Sequence, residues 1–254
     1  MEGRKNESNE KWEMSVNFYL EDRKMYKTIL CMILYAMIAG TTPAVVINVD
    51  IGSHWSGIIY DYSGQGALVD LGNDYWNQLV VISDSRPINS VITRTDLTAS
   101  DGVTITDVDI SVLTYSGYIQ PAGINGIMQD YFYSERGMAV EVGTIEISDL
   151  APESWYQLYV YAHGDIDNQD TIVTIDGVVK STSTAAGSGT APLTEGVNYV
   201  RFLTMSDALG TIMGTFEGGA TRFGALNGIQ ITPIPEPATL LLLGLGGLLL
   251  RRKK

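Results

Sequence analysis

The stretch Thr171-Ile-Val-Thr-Ile175, Asp176-Gly177, Val178-Val179-Lys180 constrains the fold more than any other part of the chain. Two β-branched runs meet at Asp-Gly, and a two-residue type I′ turn needs positive φ at both central positions. β-branched side chains are stiff at χ1 and pack well on a pleated surface, so the pair reads as a β-hairpin. From Val45 onward the chain repeats this pattern. Short apolar or alternating runs are bounded by Gly, Asp, Asn and Ser, with almost no helical period. An all-β fold follows.

Strands are expected at residues 45–51 (ended by Gly52-Ser53), 67–71, 78–82 and 88–93. Residues 103–110 alternate, with Val103 and Ile105 on one face and Thr104 and Thr106 on the other, as in a half-buried strand. Residues 115–133, rich in Gly and aromatics, read as a long loop with one short strand. Val140, Val142, Ile145 and Ile147 make a strand broken by Gly143, the mark of a bulge. Residues 181–190 are Ser, Thr, Ala and Gly and read as an exposed loop. Residues 199–205, 211–217 and 225–231 supply the last strands. Roughly eleven to thirteen short strands without intervening helices make a two-sheet, jelly-roll-like β-sandwich over residues 45–232.

Within it, Leu150-Ala-Pro152-Glu-Ser154-Trp-Tyr156 has the spacing Leu-x-Pro-x-Ser-x-Tyr. This resembles the tyrosine corner of fibronectin-type and immunoglobulin-like sandwiches, in which a Tyr hydroxyl ties an inter-sheet connection to upstream backbone. An ordinary strand with an interfacial Tyr is the alternative.

Both ends of the chain carry sorting chemistry. Residues 233–254 read Pro-Ile-Pro-Glu-Pro, then Ala238 to Leu250 without a charge, then Arg251-Arg252-Lys253-Lys254. As a helix the apolar run is roughly 20 Å long, short of the roughly 30 Å hydrocarbon core. It suits transient membrane insertion through residues 238–250, with the four cations held on the cytoplasmic side. The order of motif, short apolar helix and basic cluster resembles the PEP-CTERM sorting signal of exopolysaccharide-producing Gram-negative bacteria. The resemblance implies recognition of Pro235-Glu236-Pro237 by an exosortase, a membrane transpeptidase that cuts close to it. From Leu150 on, the chain is also similar to a β-sandwich module found in proteins with this tail. The similarity lies in Leu158-Tyr-Val-Tyr-Ala-His-Gly-Asp165, Thr194-Glu-Gly-Val-Asn-Tyr199 and Gly224-Ala-Leu-Asn-Gly-Ile-Gln230. It implies a fold rather than an activity.

At the other end, residues 1–24 mix charges of both signs and would not fold alone. Met25, basic Tyr26-Lys27, the apolar residues 28–39 and Thr42-Pro43-Ala44 form a secretory signal over 25–44. Translation from Met25 and an unusually long n-region both account for the leader. Cleavage after Ala44 starts the mature chain at Val45 and removes the only cysteine, Cys31.

Residues 45–234 then carry 22 acidic and 6 basic side chains, a net charge of −16. That argues against nucleic acid and anionic membrane surfaces as partners and suits a soluble exported protein. The two histidines, His54 and His163, sit in no ligand spacing, and no Gly-x-Ser-x-Gly elbow is present. Asp107 and Asp109 share a strand face, but exposed acid pairs are ordinary on so acidic a chain. No catalytic residue is assigned, and the chain is read as a non-enzyme.

Two binding candidates remain. Asp165, Asp167, Asn168 and Asp170 cluster hard oxygens suited to one calcium ion. Asp170 stands where an EF-hand needs Gly, and a solvated turn is the alternative reading. Trp55, Trp76, Tyr131 and Tyr133, with Tyr60, Tyr62 and Tyr75, fall in or near expected loops, where rings could stack on extracellular polysaccharide. Three functions are compatible with these features: an exported matrix protein without catalysis, a carbohydrate-binding module, and a polysaccharide-acting hydrolase.

Overall fold

The computed structural model describes residues 45–54, 62–68, 74–82, 88–119, 126–164, 169–183 and 192–234. Fourteen strands form among them. The first seven are β1 Ile47–His54, β2 Asn77–Ile82, β3 Ser90–Arg94, β4 Asp109–Thr114, β5 Ser116–Ile119, β6 Asp130–Glu135 and β7 Gly143–Ser148. The others are β8 Trp155–Tyr161, β9 Thr171–Ile175, β10 Val178–Ser181, β11 Tyr199–Met205, β12 Ile212–Gly218, β13 Phe223–Leu226 and β14 Gly228–Pro233. A 3₁₀ turn at Gly126–Met128 is the only helical element among the described residues.

Two large sheets face each other. One has the order β11-β8-β14-β1-β2, the other β10-β9-β12-β7-β4-β3. Alternate residues of both point into one core. Val49, Ile51, Leu158, Val160, Phe202 and Ile229 come from the first sheet; Ile110, Val112, Ile145, Ile147, Val173 and Phe216 come from the second. Each such side chain contributes about 1.5–3 kcal/mol on burial. The expected all-β sandwich is thus the observed architecture. A third sheet, β13-β6-β5, flanks the two, and its Phe132 and Leu226 enter the same core.

The hairpin forms as its residues require. Asp176 (φ 48°) and Gly177 (φ 78°) turn the chain, and Val178 pairs with Ile175. The tyrosine corner also forms. The link from β7 to β8 crosses between the large sheets, and Tyr156 Oη accepts the Ala151 amide at 2.9 Å.

Five expectations are corrected. β1 continues through Gly52-Ser53 to His54, because Gly52 lets Asp130 approach: a Cβ there would lie 1.7 Å from Asp130 Oδ2. Residues 103–106 are not a half-buried strand, since Val103 and Ile105 are 80% and 73% exposed. Asp101 closes a turn instead, accepting the Val103 and Thr104 amides at 2.8 Å, and the chain returns through an isolated Thr98–Ile105 bridge. These bonds to the carboxylate, led by the Thr104 hydroxyl, lower the Asp101 pKa. Within 115–133 the chain forms β5, the 3₁₀ turn and the start of β6 rather than one long loop. Gly143 opens β7 without a bulge, leaving room for the Phe216 ring, which a Cβ would meet at 2.2 Å. Residues 67 and 68 lie in a bend, not a strand. The leader, the signal peptide at 25–44 and the tail from Pro235 lie outside the described residues.

Candidate functional site

The five-stranded sheet has an outer face divided in two. Its first half is roofed by residues 62–68 and the 3₁₀ turn. Trp76, Tyr159, Tyr161, Ile127 and Met128 form a second buried cluster there, with Tyr62 and Leu68 packed on it. Polar side chains hold the roof. Gln230 Oε1 accepts the Leu68 amide at 3.0 Å and the Tyr161 hydroxyl, while its Nε2 donates to Asn48 Oδ1 at 2.8 Å and Leu68 O at 3.2 Å. Tyr161 Oη accepts the Ala67 amide at 2.5 Å, and Asp50 Oδ2 accepts the Tyr62 amide at 2.9 Å. Burial drives the Tyr161 hydroxyl pKa far up, so it remains neutral.

The second half is open. Ladder register places Met205 opposite Trp155, and Leu203 opposite Gln157, which also faces Thr232. The Ile234 amide donates to Trp155 O at 2.8 Å, extending the β14–β8 ladder by one step. Met205, Trp155 and Ile234 are 45%, 49% and 37% exposed, and Leu203 is 61% exposed. Trp155 was not among the sequence candidates. Its signal was available: in β8, an inward Tyr156 turns Trp155 outward.

Trp76, Tyr131 and Tyr133 do not present open ring faces to a sugar, whereas Tyr75 is 38% exposed. Trp76 is buried, with Nε1 donating to Gly64 O at 2.8 Å and its ring edge-on to Tyr62 and Tyr161. Tyr131 and Tyr133 are buried on one face of β6. They pack against each other, Tyr118, Tyr115 and Phe223 at centroid distances of 5.5–6.4 Å, mostly edge-on. Stacking on a sugar needs an open ring face, and edge-on neighbours occupy these. Trp55 lies outside the described residues.

Of the proposed calcium ligands, Asp165, Asp167 and Asn168 also lie outside the described residues. Asp170 is buried and bridges to His163. Its Oδ1 accepts the Ala220 amide at 2.8 Å and its carbonyl accepts the Gly219 amide at 3.2 Å, so it ties β9 to the turn after β12. His163 is buried, its ring nitrogens 2.6 Å from Gly164 O and 3.2 Å from Ser183 O. No group of three or more His, Cys, Asp or Glu side chains is arranged to hold a metal among the described residues.

Two concave features stand out among the described residues. An apolar cavity of about 140 Å³ opens at the tyrosine corner, lined by Val45, Ile47, Leu150, Tyr156, Ile231 and Pro233. The first and last residues of the folded unit therefore lie at one end of the sandwich. The other is a shallow depression of about 280 Å³ on the outer face of the six-stranded sheet, lined by Thr144, Thr174, Thr215, Met213 and Asp176. It lies on a cross-strand row running Val179, Thr174, Thr215, Thr144, Leu113, Val91. Burial, and after it the Asp207 charge, raise the Asp176 pKa; the Thr204 hydroxyl donates to this carboxylate.

Residues 233–254 match the PEP-CTERM protein-sorting motif. That motif marks export and exosortase processing. No curated protein matches the chain. Among solved structures, it is similar to a family 35 carbohydrate-binding module from Cellvibrio japonicus Abf62 at 10% identity and TM-score 0.31, covering 45% of this chain and 78% of that one. A family 35 module from an environmental isolate gives 16% identity and TM-score 0.31, covering 47% and 87%. The Podospora anserina GH26-CBM35 β-(1,4)-mannanase gives 14% and 0.32, covering 59% and 29%. At these scores the likenesses assign no ligand, and the fold class rests on the strands themselves.

Proposed function

We propose that this chain, with its PEP-CTERM protein-sorting motif at residues 233–254, is an exported, non-catalytic β-sandwich of the cell surface or extracellular polysaccharide matrix. In this reading the signal at 25–44 directs export and residues 238–250 hold the chain in the inner membrane. An exosortase then cuts close to Pro235-Glu236-Pro237. The sorting motif carries the reading. It is supported by the placement of Val45 and Pro233 on one cavity, which leaves both processing junctions next to the folded end of the domain.

The test is mass spectrometry of the protein recovered from its native envelope. The mature chain is expected to begin at Val45 and to lack Leu240 through Leu250. Glu236→Ala is expected to leave export intact and to trap full-length protein in the membrane. Neutral residues at Arg251, Arg252, Lys253 and Lys254 are expected to weaken retention instead. A native protein that keeps Leu240 to Leu250 would mean an ordinary anchor, and the sorting reading would fail.

A second reading makes the domain a polysaccharide binder. The depression on the six-stranded sheet favours it, since threonine hydroxyls beside apolar side chains suit a sugar's mixed surface. A glycan array separates the two: binding that is lost in Thr174→Val/Thr215→Val supports the second reading, and no binding to any glycan leaves the first.

A further inference from the structure

Several exposed apolar side chains lie together at the end of the five-stranded sheet from which the tail departs. Met205, Trp155 and Ile234 form one row across β11, β8 and the end of β14, with Leu203 beside it. The turn after β11 adds Leu209, 83% exposed. That turn is held rigidly: Asp207 Oδ1 accepts the Leu209 and Thr211 amides at 2.9 and 2.8 Å, and Asp207 O accepts the Glu153 amide at 3.1 Å. A fixed turn with an apolar tip, next to a half-exposed Trp, presents a surface suited to a partly apolar medium.

We propose that this end seats the domain on the lipid headgroup layer of the outer leaflet while the tail is inserted. The proposal rests on the reading of residues 238–250 as membrane-inserted. Covalent geometry then sets the distance. Ile234 and Ala238 are four Cα steps apart, at most about 14 Å, and the headgroup zone of one leaflet is roughly 6 Å deep. Ile234, at the edge of the row, therefore cannot stand more than about 8 Å above the membrane surface. Trp is favoured at this depth, with its ring in the interface, and Leu and Met bury apolar area beside it. Charge fixes the lipid class. The domain carries −16, and the charges bordering the row are Glu153 and Asp207 on the two turns and Arg201 one step beyond Leu203. Zwitterionic headgroups fit this border, and anionic lipid opposes it.

The full chain, reconstituted in phosphatidylcholine vesicles with brominated acyl chains, tests the proposal through tryptophan quenching. Trp155→Phe is expected to remove the shallow quenching seen in the wild type. Leu203→Glu/Leu209→Glu is expected to reduce it while near-UV circular dichroism stays unchanged, because both side chains are exposed. Replacing part of the phosphatidylcholine with phosphatidylglycerol is expected to weaken it as well. An environment-sensitive dye on Leu245→Cys, in a chain with Cys31→Ser, reports tail insertion separately. If the dye reports lipid and Trp155→Phe is quenched as strongly as wild type, the docking proposal is overturned and the sorting reading stands. If the dye reports water, the inserted-tail reading falls and takes the proposal with it. Disulfide-linked dimers of Leu203→Cys, formed with the tail in lipid, would assign the face to a second copy and also overturn it.

Discussion

The roofed and open halves of the five-stranded sheet are built on the same central strands, β8 and β14. Gln230 on β14 is fully buried beneath a loop, while Ile234, just past the end of the strand, is exposed. On β8, Tyr161 is fully buried and Trp155 is half exposed. The covered half sets Gln230, Asn48 and Asp50 beside Trp76, Tyr159 and Tyr161, whereas the open half shows Trp155, Leu203 and Met205 around Gln157 and Thr232. An outward-facing amide on a strand provides strong hydrogen-bonding groups that an irregular segment needs for its own backbone. Gln230 supplies them to Leu68, and Tyr161 to Ala67. Once satisfied, such a pair is costly to undo. An outward apolar side chain gives a loop no such anchor, and it stays available for a surface outside the domain.

Disrupting the roof should produce the largest effect. Gln230→Ala removes the partners of Leu68, Tyr161 and Asn48 together, and a loss of about 3 kcal/mol or more is expected in denaturant unfolding. A smaller loss, about 1–3 kcal/mol, is expected for Tyr161→Phe, which leaves the Ala67 amide without its acceptor in a buried setting. Protection of that amide in hydrogen exchange should drop with it. On the open half, Trp155→Gln should change stability by no more than about 0.5 kcal/mol. If it destabilises the fold as much as Tyr161→Phe does, the two halves are not energetically distinct and the contrast is lost.

Local chemistry was legible in the sequence, whereas coverage from distant segments was not. Asp176-Gly177 turns as two positive-φ residues must, and Tyr156 reaches Ala151 because both lie within one short corner. The alternation at Val103 and Ile105 looked equally regular, yet the Asp101 carboxylate captures the local amides and carries both side chains into solvent. Tyr131 and Tyr133 did show their period of two, which in a strand puts both rings on one face. Which rings would cover that face depended on Tyr115, Tyr118 and Phe223, strands away in sequence. For the site, the tail motif was legible in full because it is read as a linear peptide. The apolar row was not, because its members come from three strands and are aligned only by register.

β14 lies inside its sheet, paired antiparallel with β1 on one side and β8 on the other, and its last residue leads straight toward the tail. A domain held by that tail in flowing water is pulled along the axis of this strand. The rungs of both ladders then carry the drag side by side and must slide together before any one of them yields. Were the chain gripped at Val45 as well, the same drag would part β1 from β14 one rung at a time, from the end where Ile47 meets Ile231. Removal of a leader ending at Ala44 would therefore also determine how the domain resists being torn away.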